Sequence, residues 1–225
     1  MAGPINLRVA ALKEVTYDPS VFLNVETVDE AVRIILTPED GMTSQQRWKI
    51  ETPYLMGLME RNIELKGTVL DYGCGIGRLS KPLIEKYNCD VIGVDISPNM
   101  RALAASCVDR DNFVAIHPDM LWRLFGSGFL NTAIAVWTLQ HCAEPQKDIR
   151  NISRSLALGG QLFVVNNIQR VVPVGGGRWA DDSIDINTML CANGFVCYSS
   201  GKIDDNTIAP KAFRDATFWA AYRRI

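Results

Sequence analysis

From Gly67 onward the chain alternates short apolar runs with longer stretches of helical spacing. The runs are TVLDY, DVIGV, NFVAI, NTAIAVW and QLFVVNN. After them come patterns with helical periodicity over residues 76–87, 98–108, about 119–125, 145–157 and about 181–193. Apolar strands in alternation with helices predict βαβ units and a parallel sheet covered on both faces. The end of the chain breaks the alternation. GFVCYSS and ATFWAAYRR read as two strands joined by the loop GKIDDNTIAPKAF, which makes a hairpin and requires an antiparallel strand. The prediction is an α/β fold: a doubly wound, mostly parallel seven-stranded sheet with helices on both faces and a C-terminal antiparallel hairpin. The glycine-rich segment VVPVGGGRWA, residues 171–180, reads as irregular and mobile.

The first part of the chain has a different character. Leu7–Val15 and Val21–Val25 read as short strands or extended arms. Thr27 and Glu30 form a capping box that opens a helix from Val28 to about Leu36, and Pro38 to Gly41 ends it. A second box, Thr43 with Gln46, opens another helix through Trp48. Pro53 suits a first helical turn, so Thr52-Pro53 is expected to start a fresh helix running to about Arg61. Residues 1–64 are therefore expected to form a helical and extended cap on a core of residues 65–225.

Composition narrows the class. At 225 residues and 48 % hydrophobic content the chain can bury a substantial core. A net charge of −2 weighs against a broad nucleic-acid face. The first residues carry Arg8 and Lys13 and lack the apolar run of a secretory signal, and no stretch has the length of a membrane span. The six cysteines include no C-x-x-C pair, which fits reduced thiols and a cytoplasmic protein. His117 and His141 are the only histidines and lie far apart, so no metal-ligand spacing is present.

Chemistry concentrates at the first strand-to-helix turn, VLDYGCGIGRLS, where Gly73, Gly75 and Gly77 alternate. In an open α/β sheet, ligands bind beyond the carboxyl ends of the strands, and glycines let a ligand approach the backbone. The dinucleotide fingerprint is G-x-G-x-x-G, and this spacing does not match it. Asp71-Tyr-Gly-Cys-Gly-Ile-Gly77 instead resembles the first motif of the class I, Rossmann-like S-adenosylmethionine-dependent methyltransferases, in the broad small-molecule "methyltransferase domain" group. Four further features follow in order. VIGVDISPNM ends a strand at Asp95, about twenty residues on, where a carboxylate meets ribose hydroxyls. His117-Pro-Asp119-Met120 follows strand three, AVWTLQH follows strand four, and LALGGQLFVVNN resembles the strand-five entry, with Leu158 in place of the usual proline.

The resemblance covers about residues 65–225. It implies S-adenosylmethionine as cofactor, S-adenosylhomocysteine as product and a small-molecule acceptor methylated at oxygen or nitrogen. It also implies a cofactor site of Asp71, Gly73, Cys74, Gly75, Gly77, Asp95, Ile96, Asp119, Met120 and Trp137. Within that site Asp71 orients the loop or meets the amino group, and Asp119 and Met120 lie near the adenine.

His141, at the mouth of strand four, is the candidate general base, the alternative being a pocket wall or a bond to a backbone carbonyl. Gln140 is a weaker pocket candidate. Arg78 is expected in a surface or inter-element ion pair, and Arg170 at the surface or against an anionic substrate. Asp181 and Asp182 are expected to cap a helix. Arg47, Trp48 and Tyr54 precede the first strand, where relatives carry a lid; Trp48 and Tyr54 also suit plain packing. Two other readings remain open at this level. One is a non-catalytic protein that keeps the fold; the other is a methyltransferase acting on RNA or protein.

Overall fold

The computed structural model describes residues 15–203 and 211–225. Three helices come first: α1 (Ser20–Leu23), α2 (Val28–Ile35) and α3 (Ser44–Asn62). Both capping boxes form: Thr27 and Glu30 close α2, and Thr43 and Gln46 close α3. Strands β1 (Thr68–Tyr72), β2 (Asp90–Val94), β3 (Phe113–Ile116), β4 (Leu130–Val136) and β5 (Leu156–Asn167) then alternate with α4 (Ser80–Tyr87), α5 (Pro98–Val108), α6 (Leu121–Phe125) and α7 (Pro145–Ser155). After β5 come a small ribbon, β6 (Val172–Pro173) with β7 (Trp179–Ala180), and then α8 (Ile186–Ala192), β8 (Phe195–Lys202), α9 (Lys211–Ala216) and β9 (Thr217–Arg224).

Seven strands make one sheet in the order β3-β2-β1-β4-β5-β9-β8. The first five are parallel, and β9 runs antiparallel to both β5 and β8. The expected fold class is the observed one. Because both faces are covered, strand residues alternate between two cores. Leu70, Ala133, Leu162 and Val164 point to the side of α7 and α8, with Ile149, Ile152 and Leu190. Val69, Ile134, Phe163 and Val165 point to the side of α3 and α4, with Leu55, Met59 and Leu83. A third cluster joins the amino-terminal helices to the glycine turn through Val25, Ala31, Ile76 and Met100.

Four expectations for local structure are corrected. Residues 21–23 of the supposed Val21–Val25 arm lie in helix α1; the Leu7–Val15 arm lies, save its last residue, outside the described residues. Pro53 does not restart a helix but sits inside the continuous α3. A proline there removes one intrahelical bond. Contacts on both sides of it hold the helix together: Glu51 pairs with Arg47, Arg78 donates to Thr52, and Leu55 and Met59 are buried. Residues 171–180 are the β6–β7 ribbon rather than an irregular loop. The amino-terminal segment clips onto it: the Asp18 amide donates to the Pro173 carbonyl, and Asp18 bridges Val174. Asp181 and Asp182 do not cap α8; Asp185 does, accepting from the amides of Asn187 and Thr188. No helix among the described residues is long and apolar enough to cross a membrane.

Candidate active site

The carboxyl ends of β1, β2, β4 and β5 open into one cavity of about 510 Å³, within the range of roughly 300–1,000 Å³ usual for small-molecule sites. The glycine turn forms its floor. Gly73 and Gly75 have φ of +83° and +54°, which favours glycine, and both line the cavity. A Cβ on Gly73 would stand 2.0 Å from Thr138 Oγ1, and one on Gly75 would stand 2.8 Å from Ile35 Cδ1. The turn is thus packed against β4's exit on one side and α2 on the other. Gly77 faces away, toward Val108 at 2.2 Å, and serves helix packing.

Carboxylates hold the turn. Ser80, at the start of α4, donates its hydroxyl to Asp71 Oδ2 at 2.6 Å. Burial pushes the Asp71 carboxyl up to about 6, against the opposing effect of that bond. The amides of Gly75 and Ser97 donate to the two oxygens of Asp95, at 3.0 and 2.9 Å. Asp95 therefore bridges the exits of β1 and β2. Burial raises its pKa, opposed by those two amides.

Of the ten expected cofactor residues, Asp71, Gly73, Cys74, Gly75, Asp95, Ile96, Asp119 and Trp137 line this cavity, and so does His141. Gly77 and Met120 do not; Met120 is exposed on the far side of the turn after β3. The Asp119 carboxylate is occupied by Lys147 at 2.9 Å, which lowers its pKa. Trp137 holds a left-handed backbone with φ of +53°. That conformation costs about 1–2 kcal/mol for a residue with a Cβ. Its amide donates to the Val165 carbonyl at 2.6 Å, anchoring the strained turn to β5.

A chain of bonds fixes His141. The Asn167 amide donates to Gln140 Oε1 at 2.5 Å, which turns the Gln140 amide nitrogen toward His141 Nε2 at 3.0 Å. The Val171 carbonyl can only accept, so His141 Nδ1 carries the proton that reaches it at 2.5 Å. The ring is a neutral Nδ1–H tautomer with Nε2 engaged. Burial drops its pKa to about 4. Phe22 and Trp179 pack against it, with ring centroids 5.4 and 5.1 Å away.

Arg170 departs from expectation, whereas Arg78 makes the expected inter-element ion pair, with Glu51 of α3. Arg170 is buried beneath the ribbon; it pairs with Asp182 at 2.9 Å and donates to the carbonyls of Leu139 and Cys142. It is a brace between β4's exit and the ribbon. Arg78 is buried at the cavity wall, between the rings of Trp48 and Trp137 at 5.7 and 5.6 Å. Its Nε donates to Thr52, while its Nη2 stands 3.5 Å from Glu51 Oε2, too long for a close hydrogen bond. Glu51 is bound at 2.5 Å by Arg47, which also donates to the Thr37 carbonyl. Burial pulls Arg78 down to about 10. Two guanidiniums thus share one carboxylate in a dry wall.

Sequence reasoning passed over Tyr17, Tyr72 and Asp148, all of which line the cavity. Asp148 follows Pro145 by three residues and precedes Ile152 by four, which puts it on the buried face of α7.

Known proteins agree with this arrangement. Residues 70–164 match the family model described as "Methyltransferase domain". N-demethylindolmycin N-methyltransferase of Streptomyces griseus is 34 % identical over 102 residues, 44 % of this chain and 43 % of that protein. Ubiquinone biosynthesis O-methyltransferase of Coxiella burnetii is 31 % identical over 116 residues, 49 % of this chain and 48 % of that one. The chain thus matches under half the length of either relative. Among solved structures, the [4+2]-cyclase SpnF shares the fold with a TM-score of 0.63 at 19 % identity, over 84 % of this chain and 85 % of that one. Residues 70–164 are thus similar to the methyltransferase domain, and the solved structures share the fold of the chain.

Proposed function

We propose that this protein is an S-adenosylmethionine-dependent methyltransferase that methylates an oxygen or nitrogen of a small-molecule acceptor. The observation that carries the reading is the single cavity that joins the glycine turn, Asp95 and a buried pair of arginines. The residues fit the cofactor chemically. Asp95 keeps acceptor capacity for ribose hydroxyls beside the amides it already binds. Arg78 lines the cavity with its Nη2 standing 3.5 Å from Glu51, which suits the carboxylate of an amino-acid moiety. Ile96, Met100 and Pro118 give an apolar slot near Asp119 for a purine. When bound, the cofactor's sulfonium supplies an activated methyl group.

The chain's own tasks are then orientation and dryness. Asp71 braces the turn through Ser80 rather than exchanging protons. Residues 15–64 act as a cap: Ile35 packs on Gly75, and Phe22 closes the far end against His141 and Trp179. His141 serves as a neutral wall whose Nε2 becomes an acceptor for a substrate hydrogen only when Gln140 swings away. Six free cysteines suit a reducing compartment, and we place the enzyme in the cytoplasm.

Thermal unfolding with S-adenosylhomocysteine, with NAD and with neither tests the reading. A ligand that binds only the folded state raises the midpoint. The homocysteine product is expected to raise it and NAD to leave it unchanged. A rise with NAD alone overturns the proposal.

A further inference from the structure

At the acceptor end of the cavity one carboxylate is unaccounted for. Asp148 lines the cavity from the first turn of α7 and accepts the Tyr72 hydroxyl on Oδ1 at 2.5 Å. It makes no ion pair among the described residues. The cation that acts on it, Lys147, is paired with Asp119. A helix amino terminus favours a carboxylate in its first turn, which offsets part of the cost of burying it. Such an acid ordinarily faces water. This one is turned onto the buried face, toward the end of β1 and the Cys142 thiol.

The cavity wall facing Asp148 is aromatic, with Lys147 and Glu144 as its charged neighbours. Tyr17 lies over the same space, and its hydroxyl is held protonated, up to about 12, chiefly by burial. Phe22, neutral His141 and Trp179 complete the wall, with ring centroids within 6 Å of one another. An anionic acceptor meets a carboxylate and no free cation there. A neutral hydroxyl compound gains one hydrogen bond. An amine gains a charge-assisted bond, and a protonated one also gains attraction to ring faces.

Building on the proposed methyltransferase reading, we infer that Asp148, held by Tyr72, binds the acceptor's nitrogen and that the acceptor is an amine carried on an apolar or aromatic body. The carboxylate receives an N–H, and Tyr17, Phe22 and Trp179 receive the body. Tyr72 is a positioning residue, since it fixes one oxygen of Asp148, and the Cys142 thiol is the carboxylate's second hydrogen-bonding neighbour.

The test is calorimetric titration with a matched set of 2-phenylethylamine, 2-phenylethanol and 3-phenylpropionate. Wild type and Asp148→Asn are compared, each with and without S-adenosylhomocysteine. The amine is expected to bind wild type about tenfold or more tightly than the alcohol, with the acid weakest. Asp148→Asn, which keeps the shape and can still accept from Tyr72, is expected to lose the preference for the amine while holding S-adenosylhomocysteine as before. The wild-type ranking stands alone if the variant does not fold. An alcohol or acid that equals the amine, a preference that survives Asp148→Asn, or an amine that does not bind overturns the inference. Absence of S-adenosylhomocysteine binding instead overturns the methyltransferase reading, and the ranking without it still judges the amine.

Discussion

The two ends of the cavity are held in different ways. At the β1–β2 end, polar side chains close on neighbouring loops: Asp71 on Ser80, Asp95 on the amides of Gly75 and Ser97. At the β4–ribbon end the contacts are with the ribbon, the segment that follows it and the amino-terminal helix. His141 reaches Val171, Arg170 reaches Asp182, and Phe22 comes from the amino-terminal helix α1. Burial acts on both ends with opposite sign on charge. It raises Asp71 to about 6 and lowers His141 to about 4. Each group is thereby pushed toward neutrality, and burial likewise raises the pKa of Glu51 and of Asp148.

The strongest way to break this contrast is to remove Arg78. Arg78→Ala leaves Glu51 with one guanidinium, strips Thr52 of its donor and opens a gap between two tryptophans. A loss of about 3–5 kcal/mol in urea unfolding is expected. A loss under about 1 kcal/mol would show that the cluster is not a buried structural unit.

Next comes the glycine turn. Gly73→Ala drives a Cβ into Thr138 at a left-handed backbone and is expected to cost about 2–4 kcal/mol. Gly126→Ala shares a positive φ of +78° but meets nothing within 4 Å, so only the backbone cost of about 1–2 kcal/mol is expected. Equal losses in urea unfolding of the two variants would deny the close packing at Gly73.

The pH dependence separates the two ends. Between pH 3.8 and about 6 the native state keeps a proton on Asp71 that the unfolded chain has released, so this group's contribution falls as pH rises. Asp71→Asn is expected to gain up to about 3 kcal/mol at pH 7 and nothing below about pH 4. At His141 the sign reverses. Between about 4 and 6.5 the unfolded chain holds a proton that the native state lacks, so stability rises with pH. His141→Asn is expected to flatten that slope by up to about 3 kcal/mol across the window. Unfolding curves from pH 4 to 7.5 check both, and matching slopes in wild type and variant would remove the group concerned from the account.

The same contrast governs what was legible in the sequence. The strands, their mostly parallel arrangement and the glycine turn rest on short apolar runs and turn chemistry, and both capping boxes formed as read. The β4–ribbon end rests on pairings that periodicity does not encode. Arg170 reads as a surface cation until Asp182 and the Leu139 carbonyl enclose it. Pro53 reads as a helix start until Arg78 and the core anchor the turns on either side. Asp148 went unread, although its spacing from Pro145 and Ile152 set it on the apolar face. Val21 to Val25 shows apolar residues without period, and its helix forms over the ribbon rather than from its own propensity.

The central claim is that the β1–β2 end grips a nucleoside through Asp95. Isothermal titration of S-adenosylhomocysteine into wild type and Asp95→Ala tests it most directly. The account predicts binding to wild type and an affinity weakened by about tenfold or more in the variant, the loss of hydrogen bonds to a charged acceptor. Equal affinities in the two proteins would contradict it.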